Sequence, residues 1–168
     1  MLPEAQYWIE QLALLPHPEG GYYKETYRSQ EEIDSESLPT RFNGVRNFST
    51  AIYFLLPSED RSLFHRIKSD ELWHFHKGSS LSIYVLSDSG VKIHLLGDDP
   101  TRGESLQVVI PANTWFGAQV NVPRSYTLAG CTVAPGFDFS DFELAKRDEL
   151  LLEFPAFKEV VIQLTKSN

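Results

Sequence analysis

From about residue 45 onward, apolar and polar positions follow one another in short runs of β character. Pro, Gly, Ser and Asp separate the runs, as at Pro57-Ser58-Glu59-Asp60, Ser87-Asp88-Ser89-Gly90 and Gly97-Asp98-Asp99-Pro100. The pattern predicts strands at Phe48–Leu56, Ser62–Ile67, Leu72–His76, Leu81–Leu86, Val91–Leu96, Leu106–Ile110, Thr114–Val120 and Tyr126–Val133. Strands this short and evenly spaced indicate an all-β sandwich or barrel rather than a βαβ arrangement. Helical spacing occurs only at the ends. Tyr7, Trp8, Leu12 and Leu15 mark an amphipathic helix over Glu4–Leu15, stopped by Pro16-His17-Pro18-Glu19-Gly20-Gly21. Helical segments return near 142–152 and 156–164, and the acidic stretch 30–40 reads as an exposed loop.

The length of 168 residues suits a single domain, 1–168, with a real core, and 42% hydrophobic residues argue against disorder. A net charge of −8 disfavours nucleic acid and anionic membrane surfaces as partners. Cys131 is the only cysteine, which excludes an intrachain disulfide and a multi-thiolate zinc site. The N-terminus lacks a secretory pattern, and no apolar run approaches the roughly 20 residues of a membrane span. The expected location is the cytoplasm.

Candidate chemistry concentrates in FHRIKSDELWHFHKG, residues 64–78. Residues two apart on a strand share a face, so His65 and position 67 should point inward together. Glu71 should return from the next strand to meet them, and Gly78 permits the turn after it. His65, Glu71 and Gly78 stand at the spacing of the first cupin motif, His-x-His-x(3)-Glu-x(6)-Gly. PANTWFGAQV, 111–120, echoes the second motif, with Phe116 where a metal-binding His is usual. Together with PHPEGGYYKETYRS, STAIYFLL and CTVAPGFDFSDFELA, these segments resemble one family of short cupins over nearly the whole chain. The resemblance implies a cupin or jelly-roll β-barrel, RmlC-like, with a short N-terminal helix and C-terminal helical segments. It also implies a homodimer, but it fixes no reaction.

A metal-bearing cupin offers three His and one Glu; here Ile67 and Phe116 leave only His65 and Glu71. The expectation is therefore no cofactor, with a weakly held divalent ion at His65 and Glu71 as the remaining metal option. Parity turns His74 and His76 outward and leaves Trp73 and Phe75 inward. If His65 and Glu71 pair in one pocket, His65 is a candidate base for a proton next to a carbonyl, as the resemblance to RmlC, a nucleotide-sugar epimerase, suggests. Trp73, Phe75 and Phe116 would line a site for a small polar metabolite such as a carbohydrate derivative. Tyr53, Tyr84 or Tyr126 would supply an opposing acid.

The alternatives are a non-catalytic small-molecule-binding barrel and a metal-dependent oxygenase or isomerase. For His17 and Glu19 the preferred reading is a plain helix-to-strand turn. Trp115 and Cys131 read as packing residues. Asp138, Asp141 and Glu143 are candidates to close one barrel mouth, and Arg41 and Arg46 to meet a phosphate there.

Overall fold

The computed structural model describes residues 2–166. Helix α1 (Pro3–Gln11) starts on a proline, whose missing N–H costs nothing in the first turn. It ends earlier than the apolar spacing suggests, because Ala13 takes a positive φ of 50° and turns the chain into the short strand β1 (Leu15–Pro16). There follow β2 (Tyr22–Arg28), β3 (Glu32–Ile33) and β4 (Arg46–Asn47). The long run continues with β5 (Thr50–Pro57), β6 (Ser62–Arg66), β7 (Asp70–Gly78), β8 (Leu81–Ser87) and β9 (Gly90–Leu96). Next come β10 (Gln107–Ile110), β11 (Phe116–Val120), β12 (Tyr126–Ala134) and β13 (Glu143–Leu144), then helices α2 (Arg147–Glu153) and α3 (Lys158–Gln163). Each strand expected from Phe48 to Val133 is present within a few residues. The segment expected to be helical from 142 instead begins as β13, which pairs with β6.

Two antiparallel sheets face each other. One has six strands in the order β1-β2-β5-β12-β7-β10, the other five in the order β13-β6-β11-β8-β9. They are not hydrogen-bonded into a closed barrel, which corrects that part of the expectation. Period-two alternation fills the space between them: Phe54, Leu56, Trp73, Ile110 and Cys131 from the larger sheet meet Leu81, Ile83, Leu96, Phe116 and Ala118 from the smaller. The outer faces are covered separately. Ala5 of α1 packs with Leu55, Tyr126 and Leu128 on the larger sheet. Leu150 of α2 and Val161 of α3 pack with Phe64, Leu86 and Trp115 on the smaller one.

This layering decides where the three candidate tyrosines go. Phe54 faces inward, so Tyr53 faces outward, where its ring meets His76 at 5.9 Å. Ile83 and Val85 face inward, so Tyr84 lies under the C-terminal helices and accepts a hydrogen bond from Gln119. Tyr126 is likewise outward; its hydroxyl donates to Glu4 and accepts from the Trp8 indole, both at 3.0 Å. None of the three lines the space between the sheets, so none supplies the opposing acid.

Candidate functional site

A cavity of about 530 Å³ opens between the sheets at the end where the PHPEGG turn and the segment 137–142 come together. His65, Ile67, Glu71, Trp73 and Cys131 contribute to its inner wall. The expectation that His65 and Glu71 share one hollow matches their positions, yet they are not bonded to each other. Each has a different partner.

His65 is bonded to Glu19, whose Oε2 lies 3.1 Å from Nε2. The turn carrying Glu19 is built to hold it there. Gly20 N–H donates to the His17 carbonyl, Gly21 N–H donates to Asp60 Oδ2, and the Glu19 carbonyl accepts from Leu63 N–H. Gly20 has φ of +112°, and a side chain there would run into the Arg61 carbonyl, so the tight approach of this turn to β6 requires glycine. Glu19 Oε1 accepts from the Ser62 hydroxyl at 2.6 Å, and His17 Nδ1 stands 3.3 Å from Oε2. A Pro- and Gly-rich turn thus carries two residues of the site that strand parity cannot reach. The only sequence signal was a carboxylate and an imidazole set between a helix stop and two glycines.

Proton counting fixes the state of this cluster. The Leu63 carbonyl can only accept, so His65 Nδ1, at 2.7 Å, is the donor. The short contact between Nε2 and Glu19 must then carry one proton, shared by the two groups. Burial drives the pair to its neutral form: it lowers the His65 pKa to about 3 and raises that of Glu19 well above the usual carboxylate range. His17, among the rings of Tyr23, Phe54, Phe139 and Phe142, is lowered by burial to about 4. Both nitrogens of His65 and both oxygens of Glu19 are therefore engaged within the protein. This corrects the expectation of a free His65 base.

Glu71 is the exception. Its side-chain partner is the Cys131 thiol, and among the described residues no cation is paired with it. Burial raises its pKa to about 7, an effect the Cys131 hydrogen bond only partly offsets. Cys131 itself is pushed well above its ordinary value, first by burial and then by Glu71, so it remains a thiol. Two residues along the same face of β7, Trp73 is 1% exposed, and its indole Nε1 has no hydrogen-bond partner among the described residues.

The other sequence candidates fall into place around this centre. Phe116 is fully buried behind His65, with ring centroids 4.1 Å apart, and Phe75 packs on the core away from the cavity. His74 points outward to Thr132 and Gln107. Trp115 lies on the outer side of its sheet under the Arg66 guanidinium. Asp138 reaches the cavity mouth, whereas Asp141 binds Arg46 and Glu143 binds Arg66. Arg46 is thus committed to Asp141, while Arg41 donates from Nε to the Lys68 carbonyl and does not line the cavity.

Two facing antiparallel sheets with a pocket between them are the architecture of a β-sandwich of jelly-roll type, which includes the cupins. A family model described as Cupin superfamily (DUF985) matches residues 6–145, and the chain belongs to that family. The uncharacterized protein YML079W of Saccharomyces cerevisiae is 32% identical over 164 residues, covering 89% of this chain and 81% of that one. Among solved structures, a hypothetical protein from Leishmania major superposes with a TM-score of 0.88 at 36% identity, covering 97% of this chain and 99% of that one. Protein SO0799 from Shewanella oneidensis gives 0.88 at 39% identity, covering 98% of each. Oxalate decarboxylase from Bacillus subtilis, at 15% identity and a TM-score of 0.53 over 37% of its chain, shares the fold alone.

Cupins that carry a metal imply donors at positions 65, 67, 71 and 116. Here Ile67 and Phe116 provide none, and His65 has no nitrogen to spare. Among the described residues, no group of three or more His, Cys, Asp or Glu is placed to hold an ion. The residues present do not fit such a centre.

Proposed function

We propose that the cavity binds a small metabolite and moves a proton on it without a metal, in the manner of an isomerase or epimerase, with Glu71 as the acid–base group. The observation that carries this reading is the state of Glu71: a buried carboxyl on the cavity wall, unpaired by any cation among the described residues and poised near pH 7. General acid–base catalysis is most effective when the catalytic pKa lies near the working pH, and contributes roughly 10²–10⁴-fold. The Glu19–His65 pair holds the wall beside it, one proton shared and no net charge added. His65 is then a positioning residue rather than the base.

Exchange into heavy water tests this directly. Incubated with a panel of carbonyl compounds, both open-chain sugars and oxo acids and cyclic ketones and lactams, the protein should wash deuterium into the position next to the carbonyl of at least one. Glu71→Gln should slow that exchange by about 10²-fold or more while the compound still binds. Binding without exchange in the wild-type protein would favour the second reading, a non-catalytic small-molecule-binding cupin. That reading draws on the closed hydrogen-bond circuit around His65, which leaves little chemistry to that residue.

The family also suggests a homodimer. Tyr27 and Val109 are 54% and 49% exposed on the outer face of the six-stranded sheet, beyond the part that α1 covers. Exposed apolar side chains on this face would be covered by a second copy packed sheet to sheet. Sedimentation at micromolar concentration should give twice the chain mass, and Tyr27→Asp should shift it toward the monomer.

A further inference from the structure

We infer that His17 is a second catalytic residue of the cavity, its Nε2–H donating to the carbonyl oxygen of the compound whose neighbouring C–H meets Glu71. This rests on Glu71 as the acid–base group and adds the donor that receives the charge released when the proton leaves carbon.

The backbone fixes His17 before its ring is considered. Pro16 and Pro18 flank it, its N–H donates to the Gly21 carbonyl, and its own carbonyl accepts from Gly20 N–H, both at 3.0 Å. The rings of Tyr23, Phe54, Phe139 and Phe142 then surround the imidazole at centroid distances between 4.6 and 6.2 Å.

Hydrogen-bond counting assigns the tautomer. Glu19 is buried, and its backbone N–H donates to His17 Nδ1 at 3.4 Å. Glu19, held neutral by burial, offers a proton on Nδ1 no charge at Oε2, and such a proton would strip that amide of its acceptor. Nδ1 therefore keeps its lone pair, and the proton of the neutral ring is on Nε2. Among the described residues, the sealed side-chain nitrogens without a partner are the indoles of Trp73 and Trp115. Nε2 of His17 also lacks a partner, so it retains open surface, and the space it opens on is the cavity that His17 lines. Tyr23 and Lys24 line the cavity too, but among the described residues neither polar end is oriented by a hydrogen bond, as the imidazole is through Nδ1.

Enolisation needs such a donor. When the Glu71 carboxylate takes the proton from carbon, the C–H electron pair becomes a C=C bond and the C=O π pair moves onto oxygen. The Nε2–H holds that oxyanion without leaving the ring, while Glu71 exchanges its proton with solvent and returns one to carbon. A neutral imidazole facing a carboxylate base is an established arrangement for this chemistry. Burial, which lowers His17 to about 4, keeps the ring neutral at ordinary pH. The two groups share one neighbourhood: the Glu71 charge acts on Glu19, whose Oε2 is 3.3 Å from His17 Nδ1.

Two substitutions separate the catalytic role from a bracing one. In His17→Asn the amide oxygen can replace Nδ1 and keep the Glu19 amide bonded, but no donor reaches the position of Nε2. In His17→Gln an amide N–H reaches toward that position while the Nδ1 bond is lost. Proton NMR in heavy water follows exchange next to the carbonyl of dihydroxyacetone, pyruvate and cyclohexanone. Asn should slow exchange by about 10²-fold, and Gln by only about tenfold. A residue that merely braced the turn would give the reverse order. Should a variant fold poorly, nitrogen-15 spectra of the unmutated protein provide the test: His17 should carry its proton on Nε2 from pH 8 to pH 5. Unslowed exchange in the Asn variant, the reverse order, or a proton on Nδ1 would each overturn the assignment and leave Glu71 as the base. Full exchange in Glu71→Gln strikes the base instead, and no exchange of any probe by the unmutated protein strikes both.

Discussion

Glu71→Gln is expected to stabilise the protein at pH 8 by on the order of 3 kcal/mol and to give little or no gain at pH 4. Glu71 has a folded-state pKa of about 7 against an ordinary value of 4.5. The folded protein therefore binds this proton more tightly than the unfolded chain does. The stability contributed by the protonated carboxyl is complete below 4.5, declines as pH rises through the folded value near 7, and is absent above it. Gln keeps the shape of the acid and never ionises, so it escapes the cost of a buried charge. The histidines run the other way: His17 and His65 are depressed to about 4 and 3, so they lose stability as pH falls below about 6.5. Comparing variant with wild type at each pH cancels that background. The titratable groups that do face Glu71 are Glu19 and Cys131, both held neutral by burial. Urea denaturation at the two pH values measures the difference, and an equal effect at both would show that Glu71 is not the strained carboxyl described here. A residue that destabilises the fold in its ionised form, yet is positioned in a cavity, bears the mark of function rather than of packing.

The strands and their facing were legible because a half-buried sheet writes its geometry into alternating residues. The same rule correctly turned His65, Ile67, Glu71 and Trp73 inward and His74 outward. Applied to Phe54, Ile83 and Cys131 it also turns Tyr53, Tyr84 and Tyr126 outward. The three tyrosines could thus have been excluded from the pocket by sequence alone. What alternation cannot reach is the partner of His65. Glu19 arrives from an irregular turn whose path is set by Gly20, Gly21 and their bonds to Asp60 and Leu63. No periodicity describes such a turn. Likewise, the 137–142 segment follows no regular repeat; its place over the cavity depends on a salt bridge between residues 95 positions apart.

That salt bridge supports the second large effect: Arg46→Met should cost about 3–5 kcal/mol. The Arg46 guanidinium is held by both oxygens of Asp141 at 2.6 Å, by the carbonyls of Asn43 and Val45, and by Ser140. Both partners are buried, Arg46 at 5% and Asp141 at 6% exposure. Removing the cation strands the Asp141 carboxylate in the interior, with only Lys68 at 3.4 Å to offset it, so the loss should fall toward the lower end of that range. Replacing both members, Arg46→Met with Asp141→Leu, removes the stranded charge and should recover most of the loss, since apolar packing can substitute for a buried pair. The site should register the difference as well. Asp141 closes the short 3₁₀ turn Phe139–Asp141, and Phe139 and Phe142 flank the cavity from that segment. In the single variant, proteolysis should therefore begin within 137–142 before the sheets open, and the double variant should resist it. Denaturant titration of the four proteins in the cycle, with the cleavage site read by mass spectrometry, provides the check. A single variant that loses less than about 1 kcal/mol, or a double variant no better than the single, would mean that the segment is held over the cavity by its phenylalanines and not by this ion pair.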